Sequence, residues 1–131
     1  MTAKCENAGM KFDRDPLGDR HLFTGYGPGY VMIGALRLER SSLVTARAVE
    51  DWPVASVGAL ETAQVEQILG AKAEIVLLGS GARFAFPDPA VLAPLYAARI
   101  GVEVMDTPAA CRTFNILAGE GRNVVAALVI D

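Results

Sequence analysis

The chain has few of the residues from which proteins build metal centres and disulfide frameworks. Its 131 residues include two cysteines, Cys5 and Cys111, and one histidine, His21. Two widely separated cysteines are too few for a disulfide framework, and with a single histidine they do not make a conventional four-ligand zinc site. We therefore expect free thiols, no metal site and no cofactor.

Positive charge and long apolar runs are also scarce. The chain has three lysines and a net charge of −3, so a broad basic surface for nucleic acid is not expected. Its long apolar runs, such as residues 124–130, are far shorter than the roughly 20 residues that span a bilayer. No apolar core follows Lys4, so we expect no secretory signal and a cytoplasmic protein.

Apolar residues, in contrast, are abundant. Hydrophobic residues make up 52% of the chain and charged residues 21%. The length fits one domain, which we assign to residues 20–131. Residues 1–19 mix charged residues, proline and glycine without periodicity and are predicted to be a flexible N-terminal segment. We expect a well-filled core and an apolar face that a partner covers.

The apolar pattern changes along the chain. Short β-branched and aromatic runs at 21–24, 30–33, 35–38 and 43–46 predict antiparallel hairpins at an edge, over one face or in a second small sheet. The second half predicts helices at 62–69, 89–99 and 107–118, alternating with strands at 74–78, 100–105 and 124–130. This alternation indicates an α/β fold with a partly parallel sheet covered by helices.

Residues 101–112 contain the most specific local signal. Val102 and Val104 favour a strand, Thr107 is predicted to be a helix N-cap, and Pro108 suits the first helical position. The chain should therefore turn sharply from a strand into a helix. Because a helix N-terminus has unpaired N–H groups and a positive partial charge, this corner could hold an anionic ligand.

A second turn could contribute to the same site. Glycines after the strand at 74–78 would let backbone N–H groups converge on an anion, although a simple glycine turn explains them as well. The candidate ligand-binding residues at the carboxyl edge of the sheet are Gly79, Ser80, Gly81, Asp106, Thr107, Arg112 and Asn115. Alternatively, Arg112 pairs with Asp106 or Glu103, and Asn115 binds backbone.

Other candidates are single residues. Cys111 is a candidate reactive thiol because a helix N-terminus and Arg112 would both favour a thiolate. Alternatively, Cys111 packs in the core, because it lies on the apolar face of the predicted helix. Tyr26 and Tyr30 flank a glycine-rich turn and are candidate interface residues. No complete catalytic set is present, so we predict no catalytic residue.

Several segments of the second half together resemble a known family. They are Ile75-Val-Leu-Leu-Gly-Ser-Gly81, Phe86-Pro87, the block from Gly101 to Asn115, and Glu120-Gly-Arg122. They are similar to the small α/β domain of uncharacterised prokaryotic proteins and mitochondrial respiratory complex I assembly factor 3. The resemblance implies three layers around a central mixed, mostly parallel sheet, with extra N-terminal β-hairpins.

Two functional hypotheses follow. The resemblance favours a non-catalytic domain that binds other proteins or a second copy of itself, as an assembly factor does. The alternative is a small-molecule or anion site, possibly with enzymatic use, in the cleft at the strand ends. The fold by itself does not distinguish these two hypotheses, because one fold serves many functions.

Overall fold

The computed structural model describes residues 21–131, and the predicted flexible segment at 1–19 lies outside this range. The described residues form two sheets and three α-helices. The strands are β1 (Phe23–Gly27), β2 (Tyr30–Ile33), β3 (Leu36–Leu38), β4 (Ser42–Val44), β5 (Val49–Asp51), β6 (Ile75–Gly79), β7 (Gly101–Met105) and β8 (Val124–Leu128). The helices are α1 (Thr62–Gly70), α2 (Ala93–Ala97) and α3 (Thr107–Gly119), and short 3-10 helices lie at Val57–Ala59 and Pro89–Leu92.

The predicted N-terminal runs are divided between two of the expected arrangements: the first three form a separate small sheet, and the fourth, at 43–46, forms β4 near one edge of the larger sheet. β2 lies between β1 and β3, and both pairs are antiparallel. The two tight turns contain Gly29 and Gly34 with φ angles of 78° and 58°, a conformation that glycine adopts without a Cβ penalty. β1 continues further than expected, so Tyr26 lies within a strand and Tyr30 begins the next one.

The remaining strands form a mixed five-stranded sheet in the order β5-β4-β8-β6-β7. β8 is parallel to β6, which is parallel to β7, whereas β4 is antiparallel to both β5 and β8. Every residue of β8 is buried, as expected for a central strand covered on both faces. The mixed sheet is confirmed, and half of its strand pairs are parallel.

The sheet separates two apolar clusters, which gives three layers. On one face, α1 and α2 pack through Val65, Ile68 and Leu95 against a cluster that includes the fully buried Trp52. The other face is covered by α3 and the small sheet. There the rings of Phe23 and Phe114 meet edge to face with centroids 5.2 Å apart.

The predicted helix at 89–99 is shorter and divided. Residues 89–92 form a 3-10 helix, and only residues 93–97 are α-helical. Arg99 has a φ of 62°, a left-handed conformation that ends the segment before β7. Proline at 89 and 94 stands near the start of each piece, where its missing N–H has no helical partner to lose.

Candidate functional site

The candidate site is the corner where β7 turns into α3. Asp106 is the N-cap, and its carboxylate accepts a hydrogen bond of 2.8 Å from the N–H of Ala109. The prediction of Thr107 as the N-cap is therefore wrong by one residue, and Pro108 occupies the second helical position. The reason is that the Thr107 hydroxyl is engaged by residues distant in sequence.

Thr107 connects three chain segments. Its hydroxyl donates to the carbonyl of Val129 at 2.7 Å and accepts from the N–H of Gly81 at 2.9 Å. Its own N–H donates to the carbonyl of Gly81 at 2.8 Å. Thr107 is only 5% exposed. The glycine turn and the helix start thus lie side by side at the carboxyl ends of β6 and β7, as the sequence predicted.

The backbone donors of the glycine turn are already paired within the chain. The N–H of Ser80 donates to the carbonyl of Met105, and that of Ala82 donates to the Asp131 carboxylate at 3.1 Å. A Cβ on Gly81 would lie 2.7 Å from Oδ2 of Asp131. The donors needed to bind an external anion are therefore used by Thr107, by Met105 and by the chain's own carboxylate.

Arg112 and Asn115 contact the small sheet instead of the glycine turn. Nη1 of Arg112 donates to the Tyr26 hydroxyl at 2.7 Å. No ion pair among residues 21–131 joins Arg112 to Asp106 or Glu103, so the predicted pairing is wrong. The Asn115 amide accepts from the N–H of Phe23 and donates to its carbonyl, both at 2.8 Å. These side chains join α3 to β1. The prediction that Asn115 binds backbone is therefore confirmed.

The two candidate interface tyrosines make different contacts. Tyr26 is 41% exposed and receives the hydrogen bond from Arg112. The guanidinium of Arg37 lies 3.8 Å from the centroid of the Tyr30 ring, which is a cation–π geometry. Neither contact identifies a partner, so their role at an interface stays a prediction.

Cys111 lies in the core between α3 and the sheet. It is 1% exposed and belongs to the cluster that contains Phe23 and Phe114. Burial raises the pKa of the thiol to about 12, and the opposing effect of Arg112 is smaller. Because the thiolate is the nucleophilic form, this environment disfavours a reactive thiol at neutral pH.

The structure reveals an aromatic feature that the site predictions omitted. Phe84 and Phe86 are 55% and 68% exposed, and their rings meet edge to face at 4.9 Å. They lie in residues 80–88, here called the aromatic loop, which connects β6 to the 3-10 helix at 89–92. The signal was present in the sequence Arg-Phe-Ala-Phe-Pro, where two aromatic residues alternate in a loop bounded by proline.

The aromatic loop is held by hydrogen bonds at both ends. The Ser80 hydroxyl donates to the carbonyl of Arg83 at 2.6 Å and accepts from the N–H of Ala85 at 3.0 Å. At the other end, the Asp88 carboxylate accepts from the N–H of Ala90. The two phenylalanines are therefore presented on an ordered loop. An open depression of about 560 Å³ lies beside it, lined in part by Ser56 and Arg83.

The part of the chain at residues 21–131 contains no group of three or more His, Cys, Asp or Glu side chains placed to hold a metal ion. None of its helices is long and apolar enough to cross a membrane.

The layers and the corner together define a three-layer α/β domain with a small antiparallel sheet on one face. The chain belongs to the family described as "Protein of unknown function (DUF498/DUF598)", whose model matches residues 23–129. This confirms the resemblance seen in the sequence.

Among related proteins, NADH dehydrogenase (ubiquinone) 1 alpha subcomplex assembly factor 3 of Xenopus tropicalis is 31% identical over 121 residues, which cover 91% of this chain and 66% of that protein. The chain spans about half of other such factors, 48% of that from Danio rerio. An uncharacterised protein of Rhodobacter capsulatus is 32% identical over 80% of this chain and 81% of its own length. A crystal structure of a Bordetella parapertussis protein matches with a TM-score of 0.81 at 37% identity, covering 88% of this chain and 100% of that one.

Proposed function

We propose that this domain binds another protein and acts in the assembly of a protein complex without catalysing a reaction. The similarity to proteins named as assembly factors supports this role. The observation that carries it is the exposed pair Phe84 and Phe86 on the aromatic loop.

Exposed phenylalanine rings favour association because water is released when they are covered. Burying the exposed part of each ring is worth about 2 to 3 kcal/mol at roughly 25 cal/mol per Å². Aromatic side chains are also enriched among the few residues that dominate binding energy. The two rings therefore form a suitable anchor for a partner protein.

The hydrogen bonds of the aromatic loop strengthen this argument. A loop that is ordered before binding loses less conformational freedom when it binds, so more of the contact energy appears as affinity. The Ser80 hydroxyl holds residues 83 and 85 on either side of Phe84, and Asp88 caps the segment that follows Phe86. The loop is therefore preorganised around Phe84, and Phe86 packs on that ring edge to face.

The test compares two double variants of the tagged protein in its native organism. The variant Phe84→Ser with Phe86→Ser removes the proposed anchor. The control, Leu36→Ser with Ile116→Ser, removes two other exposed apolar side chains, which are 50% and 62% exposed. Thermal unfolding of each purified variant verifies that both remain folded.

Proteins that co-purify with the wild type are identified by mass spectrometry, and the binary dissociation constant is then measured with the purified partner. We expect the phenylalanine variant to bind at least about tenfold more weakly and the control to bind like the wild type, since two buried rings exceed 1.4 kcal/mol. Equal binding by both variants would refute the claim that the aromatic loop anchors the partner. Turnover of a metabolite by the purified chain, with no protein partner, would refute the function itself.

A further inference from the structure

The outer strand β7 has an unpaired edge. Among residues 21–131 it pairs only with β6. The N–H of Gly101 donates to Glu74 and the carbonyl of Met105 accepts from Ser80, which fixes the residues that face β6. Because bonding alternates along a parallel pair, Gly101, Glu103 and Met105 face β6. The N–H and carbonyl groups of Val102 and Val104 therefore point outward, away from the sheet.

This edge is held in place by the core behind it. The side chains of Val102 and Val104 are half-buried and pack on the apolar cluster beneath α1 and α2. Outward N–H and carbonyl groups on an ordered strand form a template for another strand. The C-terminal end of β7 lies beside the start of the aromatic loop, since the N–H of Ser80, the first loop residue, donates to the carbonyl of Met105, the last residue of β7, on the side that faces β6.

Glu103 determines which strand fits. It is exposed and forms no ion pair within the described residues. Suppose that the β7 strands of two copies paired antiparallel, with the outward N–H and carbonyl groups of Val102 and Val104 bonded in both strands. The two Glu103 side chains would then lie directly opposite each other. Like charges in that position are destabilising, whereas opposite charges are favourable. The carboxylate thus opposes a second copy and favours a foreign strand with a cation.

We propose that the open edge of β7 binds an extended segment of a partner protein as a sixth strand, with a Lys or Arg of that segment opposite Glu103. This inference rests on the proposed function, because it specifies the chemistry of the protein that is bound. Main-chain hydrogen bonds from Val102 and Val104 supply affinity, as in other cases of strand addition. The charge pair opposite Glu103 supplies selectivity.

The test uses two synthetic peptides, acetyl-Thr-Val-Lys-Val-Thr-amide and the same peptide with Glu in place of Lys. Each is titrated into the ¹⁵N-labelled full chain and followed by NMR. We expect shift changes centred on the amides of Val102 and Val104, and weaker binding of the Glu peptide by about three- to tenfold. That difference should shrink as salt is added.

Two variants make the result decisive. The charge reversal Glu103→Lys changes an exposed side chain and should invert the preference, so that the Glu peptide binds more tightly. The variant Val104→Pro removes an outward N–H, which an edge strand tolerates, and should abolish binding of both peptides. The proposal is overturned if the shift changes map elsewhere, or if wild type and Glu103→Lys rank the peptides in the same order.

Self-association provides an independent measurement. In sedimentation velocity, Glu103→Val should form a dimer at concentrations where the wild type is a monomer, and adding Val104→Pro should restore the monomer. A wild-type dimer that Val104→Pro dissociates would overturn the proposal. Peptide binding at β7 with no cellular partner would refute the proposed function and leave the edge only as a surface that binds extended peptides. Loss of a partner only in the phenylalanine variant, with no peptide binding, would refute this inference and leave the proposed function standing.

Discussion

Replacing Asn115 by alanine should destabilise the domain by separating the small sheet from α3. The amide of Asn115 makes two hydrogen bonds of 2.8 Å to the backbone of Phe23, a residue 92 positions away in sequence and only 5% exposed. The variant removes both bonds and leaves the buried N–H and carbonyl of Phe23 without partners. The small sheet would then rely on its apolar contacts and on Arg112.

The expected magnitude follows from these contacts. Two hydrogen bonds at about 1 kcal/mol each, with an added penalty for two unsatisfied backbone groups, give a loss of about 2 to 4 kcal/mol. The higher helix propensity of alanine returns roughly 0.5 kcal/mol. We therefore expect the free energy of unfolding to fall by about 2 to 3 kcal/mol, a large fraction of the stability of a domain this size.

The assay is urea denaturation followed by the fluorescence of the buried Trp52, with hydrogen exchange at the Phe23 amide as a local readout. Asn123→Ala is the matched control because the side-chain amide of Asn123 makes one exposed hydrogen bond, 2.9 Å to the carbonyl of Lys72, and its backbone carbonyl bonds are kept in alanine. That variant should lose less than about 1 kcal/mol. If Asn115→Ala loses no more than Asn123→Ala, or leaves exchange at Phe23 unchanged, the account of how α3 holds the small sheet is wrong.

Three further predictions concern α3. Thr107→Val keeps the shape of the side chain but removes the hydroxyl shared by Val129 and Gly81, so it should cost about 2 to 3 kcal/mol in urea denaturation, while Thr107→Ser should cost less than half as much. In the Cys5→Ser variant, iodoacetamide at pH 8 should label Cys111 only as fast as the protein unfolds, since burial raises the pKa of this thiol to about 12. Labelling at the rate of a free thiol would contradict this prediction. Because the unfolded thiol loses its proton first, stability should decline as the pH rises from about 9 towards 12, and the Cys111→Ala variant should lack this part of the decline.

The spacing of apolar residues in the sequence correctly predicted the strands and helices in which that spacing is regular. The apolar run in β6 and the stripe on α3 both lie where the sequence placed them, to within a residue or two at each end. β5 was not predicted, because Val-Glu-Asp is short and has no alternating pattern. It forms because β4 offers it a partner strand.

Contacts between distant residues account for what the sequence could not show. From the local sequence alone, the Thr107 hydroxyl could cap its helix. The neighbouring strand β6 instead brings Gly81 within hydrogen-bonding distance of this hydroxyl. Likewise, the pairing of Arg112 with Tyr26 depends on where the small sheet folds back. The adjacency of the two corners was predictable, because parallel strands end at the same edge of a sheet, but the pairing of their donors was not.

The position of β8 also constrains how the molecule can fold. This strand pairs with β4 on one side and β6 on the other, so until residues 124–128 are in place the five-stranded sheet exists only as two separate fragments. Both fragments would then expose strand edges and apolar surface, the features that make folding intermediates prone to aggregate. We therefore expect chains truncated before residue 124 to be recovered as aggregates or degradation products instead of a folded subdomain.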